Sequence, residues 1–194
     1  MTKRTFDIVV SALLLLILAP LLIVVAVLVR ADGGPVFYNA IRAGRDKKPI
    51  STPKFRSMIV NADNFLDSSG RPTKDRITKV GRVLRRFSFD ELPQLFSVLI
   101  GTMSIVGPRP ILISDAEQID AQFDLRFRAR PGITGLAQVS GRNSITWTKR
   151  YELDCQYVRD WSFLLDLKIL RRTISVVLFG IGMSMDRNPD QARP

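Results

Sequence analysis

The chain carries an adjacent pair of carboxylates, Asp90-Glu91, inside a strongly basic stretch. Arg85 and Arg86 precede the pair, and Arg109 follows it within a stiff Pro-Arg-Pro turn. A carboxylate beside several arginines stays ionised, so it can act as a nucleophile or bind Mg²⁺. An arginine in a rigid turn is well suited to bidentate phosphate contacts. These residue types therefore predict a phosphoryl-transfer site in which Asp90 and Glu91 are catalytic.

The same carboxylates also fit a purely structural interpretation. Asp90 can cap a helix whose first turn contains Glu91 and Pro93, and Ser88 with Glu91 has the spacing of a capping box. The local sequence alone leaves both interpretations open.

Composition limits the chemistry and the partners. Lysine and arginine total 29 against 18 acids, a net charge of +11, which predicts anionic partners. Lys54 and Arg56 add to the cations upstream of the carboxylates, although any one of them could be a solvated surface charge. There is no histidine, which excludes histidine bases, Ser-His-Asp triads and His-ligated zinc. The single cysteine, Cys155, cannot form an internal disulfide.

Residues 12–29 form an apolar run with no polar side chain. As a helix this run is about 27 Å long, close to the hydrocarbon thickness of a bilayer. Pro20 interrupts it, and Lys3, Arg4 and Arg30 make both flanks basic, which favours the cytoplasm for both ends. A kinked hairpin and a kinked transmembrane helix fit equally well. No cleavage pattern follows that would indicate a signal peptide.

The remaining chain predicts one α-rich α/β catalytic domain over residues 32–184, after a membrane helix at 1–31 and before a disordered tail at 185–194. Within this domain the pattern of apolar residues predicts helices that end at Phe65 and at Gly101, a helix from Ile77, and helices over 111–128, 148–158 and 161–181. Between them we predict an extended stretch at 36–38, turns over 39–53, a loop at 67–76, an irregular turn at 107–110, and loops or short strands over 130–143. The last of these helices has the pattern of a helix at a membrane interface.

The chain resembles the bacterial sugar transferase family, specifically the small monotopic phosphoglycosyl transferases of the PglC type, over nearly its whole length. The segments that carry the resemblance are Lys3-Arg4, Phe6-Asp7, 34–37, 54–58, 76–79, 84–86, 90–95, Met103-Ser104, 106–110, 130–135, Gln138-Val139, 141–143 and 165–170. Each is weak alone, but their order and spacing are specific.

The resemblance implies a reaction and a location. In the family, the aspartate of the pair attacks the β-phosphorus of a UDP-sugar, UMP leaves, and polyprenyl (undecaprenyl) phosphate takes the sugar phosphate from the enzyme. Asp90 is then the nucleophile and an Mg²⁺ ligand, and Glu91 assists the metal or deprotonates the lipid phosphate. The resemblance also implies a hairpin that re-enters at Pro20, on the cytoplasmic face of the inner membrane.

By the same resemblance, the donor and its phosphates contact a set of cationic and polar residues: Lys54, Arg56, Arg85, Arg109, Arg142 and Asn143. The chain departs from the family at Ala19, where serine usually precedes the proline, and at Ser97 and Thr102. The chain also lacks the multi-helix N-terminal part of larger relatives and is expected to be the minimal catalytic unit.

Two rival functions remain. One is a tethered basic protein that binds nucleic acid or anionic lipid, and the other is a membrane phosphatase or nucleotide hydrolase. Aromatic residues are not interleaved with the basic ones as single-strand binders require, so we expect no nucleic-acid partner. The sequence leaves the sugar, the pathway and the oligomeric state open.

Overall fold

The computed structural model describes residues 2–67, 73–141 and 144–179, with side chains as far as residue 177. The helices and strands of this part are α1 (Lys3–Ala31), β1 (Phe37–Ala43), β2 (Pro49–Phe55), α2 (Lys79–Phe87), α3 (Gln94–Ile100), β3 (Ser104–Val106), α4 (Ile113–Gln118), β4 (Gly132–Thr134), α5 (Leu136–Val139), α6 (Trp147–Arg159) and α7 (Phe163–Phe179). The predicted helix-rich α/β class is confirmed. The tail at 185–194, Arg142 and Asn143 lie outside the described residues.

Helix α1 is a single element of 29 residues that continues through Pro20. At ~1.5 Å per residue it is about 43 Å long. Its most apolar window has a mean hydropathy of 3.3, and only 11% of that window is buried, so it is long and apolar enough to cross a membrane. The break expected at Pro20 is not confirmed, and the re-entrant hairpin stays a prediction.

Buried charges fasten the start of α1 to the rest of the domain. Asp7, which has no exposed surface, accepts hydrogen bonds from the Ser104 hydroxyl at 2.8 Å and from the Ile105 N–H at 3.0 Å. The Lys3 ammonium lies 2.6 Å from the carboxylate of buried Asp166. Since a buried charge is costly without a partner, these contacts hold the helix start firmly on β3 and α7.

Arg56 fastens the other end of α1. Its guanidinium is buried and donates to three backbone carbonyls: Val29 at 2.8 Å, Pro35 at 2.8 Å and Met58 at 3.0 Å. A cation at a helix C-terminus satisfies carbonyls that lack helical partners and favours the helix dipole. Both ends of α1 are therefore held on the same domain.

Two small sheets bring distant segments together. β1 and β2 form an antiparallel hairpin in which Phe37 lies opposite Phe55 and Asn39 lies opposite Pro53. The predicted turn region at 39–53 is therefore wrong. A two-stranded sheet has only edge strands, where proline is tolerated, so Pro53 does not prevent the pairing. β3 and β4 pair in parallel, and this pairing places the turn after β3 beside the turn after β4.

The helix predictions succeed where helices are long or clearly ended. α3 ends at Gly101, with φ 96°, as predicted, and α6 and α7 match their predicted helices closely. The predicted helix ending at Phe65 is wrong, because only a 3-10 turn, Ala62–Phe65, forms there. The predicted helix over 111–128 is divided: Ile119 is extended, and Asp120 caps a separate 3-10 segment, Ala121–Arg128.

Candidate active site

The carboxylate pair lies in a 3-10 turn, Phe89–Glu91, between two helices. α2 ends at Phe87, the following Ser88 has a left-handed conformation (φ 57°) that reverses the chain, and Pro93 precedes α3. Neither the 3-10 turn nor α3 has a side-chain cap. The capping interpretation of Asp90 and Glu91 is therefore wrong.

Glu91 is held by two cations from other elements. The Lys54 ammonium, at the end of β2, lies 2.6 Å from Glu91 Oε1. Arg109 donates through Nη2 to the same oxygen at 2.7 Å and through Nη1 to Oε2 at 3.2 Å. Glu91 is 13% exposed and Arg109 49% exposed, so the arginine keeps a solvent-facing side with which it can bind an anion.

Asp90 is arranged differently, although it is the neighbouring residue. Within the described ranges its carboxylate makes no hydrogen bond and no ion pair. Arg85, in the last turn of α2, is held by a 2.8 Å hydrogen bond from its Nε to the Ser57 hydroxyl and is among the charges that act on Asp90. Asp90 is therefore a half-buried carboxylate surrounded by cations and free to react.

The two carboxylates are shifted in opposite directions. Burial raises the pKa of Asp90, as does the negative charge of Glu91, while Lys54, Arg85 and Arg109 oppose the rise. Burial alone would also raise the pKa of Glu91, but Arg109 and Lys54 outweigh it and hold that pKa far below its usual range. Glu91 is thus a permanent anion and a weak base, while Asp90 is the carboxylate whose protonation state can change.

The turn that carries Arg109 is fixed by backbone and side-chain contacts. The Gly107 N–H donates to the Thr134 carbonyl, and the Gly132 N–H donates to the Pro108 carbonyl, both at 2.9 Å. Gly107 and Gly132 approach each other so closely that a Cβ on either would meet the other's backbone. The turn is therefore seated on β4 without space for larger residues.

A buried ion pair behind Arg109 was not predicted from the sequence. Arg126 donates to the Arg109 carbonyl at 2.7 Å and to Asp154 Oδ2 at 2.8 Å and 3.2 Å. Both side chains of the pair are 3% exposed or less. They are 28 positions apart in the chain, and no local pattern marks such a pair.

The structure therefore brings together Asp90, Glu91, Lys54, Arg85 and Arg109. It gives Arg56 the separate contacts described above, with its donors occupied by carbonyls, so the predicted phosphate contact of Arg56 has no support in this geometry.

The described residues contain no cluster of three metal-ligating side chains. Mg²⁺, however, is commonly held by one or two carboxylates together with substrate phosphates and water. The unpartnered carboxylate of Asp90 fits that pattern, and Glu91 beside it already has both oxygens engaged by cations.

An apolar groove of about 300 Å³ opens beside the carboxylate turn. Its lining comes from α1, β1, β2 and the start of α3: Leu15, Ala19, Leu22, Ile23, Ala26, Phe37, Phe55, Pro93 and Phe96. Pro93 is two positions from Glu91, and Phe55 is next to Lys54, so the groove lies near the charged site.

Comparison with known proteins gives a match over nearly the whole chain. The model of the bacterial sugar transferase family matches residues 1–180. The chain is 46% identical over 183 residues to a UDP-glucose:undecaprenyl-phosphate glucose-1-phosphate transferase of Klebsiella pneumoniae, covering 89% of this chain and 39% of that one. It is 45% identical over 191 residues to an undecaprenyl-phosphate galactose phosphotransferase of Salmonella typhimurium, covering 91% and 40%.

A third relative, the exopolysaccharide production protein ExoY of Sinorhizobium fredii, is 40% identical over 197 residues and matches over 93% of this chain and 87% of its own length. The chain thus spans about two fifths of some relatives and most of others. The chain belongs to the bacterial sugar transferase family.

Proposed function

We propose that the chain is a phosphoglycosyl transferase that moves a sugar-1-phosphate from a UDP-sugar to undecaprenyl phosphate and releases UMP. The observation that carries the proposal is the division of roles within the carboxylate pair. Glu91 is committed to Lys54 and Arg109, while Asp90 has no partner among the described residues and faces the same cations. Two relatives whose names specify undecaprenyl-phosphate sugar transfer support the lipid acceptor.

The reaction consists of two displacements at one phosphorus atom. A carboxylate oxygen of Asp90 attacks the β-phosphorus of the donor, the bond to the bridging oxygen breaks, and UMP leaves with that oxygen. A phosphate oxygen of the lipid then attacks the same phosphorus and displaces Asp90, which gives a lipid diphosphate sugar. Arg85 and Arg109 are placed to stabilise the charge on the phosphoryl oxygens.

The low pKa of Glu91 argues against its predicted role as the base for the lipid phosphate, because a carboxylate held so strongly ionised is a weak general base. The contacts of Glu91 support a role not predicted from the sequence, which is to orient Lys54 and Arg109. A phosphate monoester already carries most of its second charge at neutral pH, since its second pKa is about 6, and needs little help from a base.

Asp90 is also the residue that would hold Mg²⁺, together with the phosphates of the donor. The ion would neutralise charge on the diphosphate.

The exposed apolar surface of α1 and the groove beside it support the proposal that the acceptor is a lipid. α1 leaves its outer side chains exposed, among them Leu16 at 74% and Ile23 at 65%, and such a surface needs an apolar environment. Because α1 is fastened to the domain at both ends, we propose that the protein lies on the cytoplasmic leaflet of the inner membrane. The groove at Pro93 would receive the first isoprene units while the lipid phosphate reaches Asp90.

The decisive experiment measures UMP release by the purified chain with Mg²⁺ and a panel of UDP-sugars, with and without undecaprenyl phosphate. We expect lipid-dependent release with one sugar or a few. Mass spectrometry of enzyme incubated with that donor alone should find a phosphosugar adduct on the peptide that contains Asp90.

Asp90→Asn should abolish both signals, whereas Asp63→Asn, at a side chain that is 97% exposed, should change neither. Lipid-independent hydrolysis would indicate a phosphatase instead. Full activity in Asp90→Asn, or no UMP from any donor, would exclude the proposed mechanism.

A further inference from the structure

Arg150 is a half-buried cation whose guanidinium has no direct partner among the described residues. This group makes no ion pair and no hydrogen bond there, and its Nε is fully buried. Its guanidinium lies 4.4 Å from the ring centre of Trp147, one turn earlier in α6, which holds the group in place. A partly desolvated arginine is unfavourable unless an anion compensates it.

The position of Arg150 connects it to the active site through Arg109. Arg150 and Asp154 are four residues apart on one face of α6. Asp154 binds Arg126, and Arg126 binds the Arg109 carbonyl, so the three elements meet behind Arg109. Burial and the charge of Arg109 both lower the pKa of Arg150.

The charge of Arg109 acts on both Asp90 and Arg150, so both groups are near it. The charge of Asp154 acts on Arg150, but the two make no ion pair: Oδ2 of Asp154 binds Arg126, and its Oδ1 is buried without a hydrogen-bond partner. The side-chain amide of Gln138, in α5 against α6, is also buried and unpaired. Buried polar groups almost always have partners, so the unpaired guanidinium of Arg150 has hydrogen-bonding capacity that a ligand can use.

The first turn of α6 strengthens the positive character. The described helix has no acid in that turn, and Arg150 adds a positive side chain to the positive end of the helix dipole. Lys149 is paired with Glu152 at 2.9 Å, whereas Arg150 has no ion-pair partner among the described residues. An anion at this position would satisfy the guanidinium and the helix terminus together.

We propose that Arg150 forms a second phosphate subsite beside Arg109 and binds the phosphate next to the nucleoside, the one that leaves as UMP. This inference rests on the proposed function, in which the β-phosphate is at Asp90. The adjoining phosphate of the donor then extends past Arg109 towards α6. The lipid phosphate is the less suitable occupant, because the apolar groove is lined by α1, β1, β2 and α3 and includes no residue of α6.

The test measures binding of UMP and of uridine to the full chain in detergent, with no lipid and no turnover. Arg150→Gln should weaken UMP about 10- to 100-fold, as expected for a lost charge-assisted phosphate contact, and leave uridine unchanged. Lys149→Gln, the matched loss of one charge, should leave both unchanged. If Arg150→Gln does not fold, judged by its thermal transition, Arg150→Lys replaces it, with a smaller but measurable loss expected because lysine lacks the bidentate fork.

Unchanged UMP affinity in the variant overturns the inference. Equal losses for UMP and uridine overturn it as well, because they would assign Arg150 to the nucleoside or to the fold. A raised KM for undecaprenyl phosphate with normal UMP binding would assign the subsite to the lipid phosphate. Sugar transfer by the wild type together with normal UMP binding by Arg150→Gln removes this inference alone, whereas a wild type that binds UMP but transfers no sugar removes the proposed function.

Discussion

Arg109 donates hydrogen bonds to both carboxylate oxygens of Glu91, at 2.7 Å to Oε1 and 3.2 Å to Oε2, and Lys54 also donates to Oε1, at 2.6 Å. This arrangement fixes the direction of two cations and keeps the adjacent carboxylate, Asp90, out of the pairing. The chemistry proposed for the chain therefore depends on an asymmetry between neighbouring residues of almost the same type.

Glu91→Gln tests the orienting role. The amide keeps the shape but releases Arg109 and Lys54, so we expect kcat/KM to fall by about tenfold or more, as for a lost charged contact. Loss of the negative neighbour also lowers the pKa of Asp90, so the acidic limb of the pH–rate profile should move to lower pH. An acidic limb that disappears altogether in the variant would show that Glu91 itself is the titrating group.

Asp90→Asn should stabilise the fold at neutral pH. Because the folded-state pKa of Asp90 is raised, the native state binds more protons than the unfolded state, and stability decreases as pH rises from the ordinary aspartate range through the raised value. We expect a melting temperature about 2–4 °C higher than that of the wild type at pH 7, equivalent to ~1 kcal/mol. The difference should vanish at low pH, and a gain that persists there would have another cause.

Lys54 and Arg56 are two positions apart, but we expect substitution of Arg56 to reduce stability and substitution of Lys54 to reduce activity. Arg56→Gln removes donors from three carbonyls and should destabilise the protein by about 3 kcal/mol or more. Lys54→Gln should reduce activity while the melting temperature stays nearly unchanged. Thermal unfolding and UMP release, measured on both variants, separate these outcomes. If Arg56→Gln kept normal stability but lost activity, the result would support the predicted contact between Arg56 and a phosphate.

The ends of α1 should label from the same side of the membrane. Cys155 is the only cysteine, so Cys155→Ala gives a background for single cysteines at Thr5 and Asp32, near the two ends of the helix. An impermeant maleimide should label neither position in intact cells and both after permeabilisation. Labelling of one position in intact cells would indicate that α1 crosses the membrane.

The groove can be filled without touching the charged site. Ala19→Phe places a ring among Leu22, Phe37 and Phe96 and should raise the KM for undecaprenyl phosphate several-fold. The covalent adduct formed from donor alone should be unaffected, because no lipid takes part in that step. An equal effect on adduct formation would mean that the substitution disturbs the carboxylate turn.

The sequence identified the charged site better than it identified the roles within it. Asp90, Glu91 and Arg109 could be selected because of their types and the stiff turn around Arg109. The sequence did not show which of the two carboxylates binds Lys54. That contact spans 37 positions and depends on how β2 packs against the turn before α3. Arg56 and Arg85 are the same residue type, and the sequence does not show that Arg56 is buried against backbone carbonyls while Arg85 lies near Asp90.

The same limit explains the errors in the fold. Helices with a clear end, such as α3 at Gly101, were predictable from local residues. The β1–β2 hairpin was missed because its stability comes from pairing and from packing of Phe55 against Val25 and Val29 of α1, not from local propensity.

The attachment of α1 at both ends has a practical consequence. The helix supplies Val25 and Val29 to one hydrophobic cluster and buries Asp7 against β3, so it is a component of the fold. A truncated version that begins after residue 31 would expose that cluster, remove Asp7 from Ser104 and Lys3 from Asp166, and take away one of the three carbonyls that Arg56 binds. We therefore expect such a version to aggregate instead of yielding a water-soluble enzyme, and detergent or lipid to be needed for folding as well as for access to the acceptor.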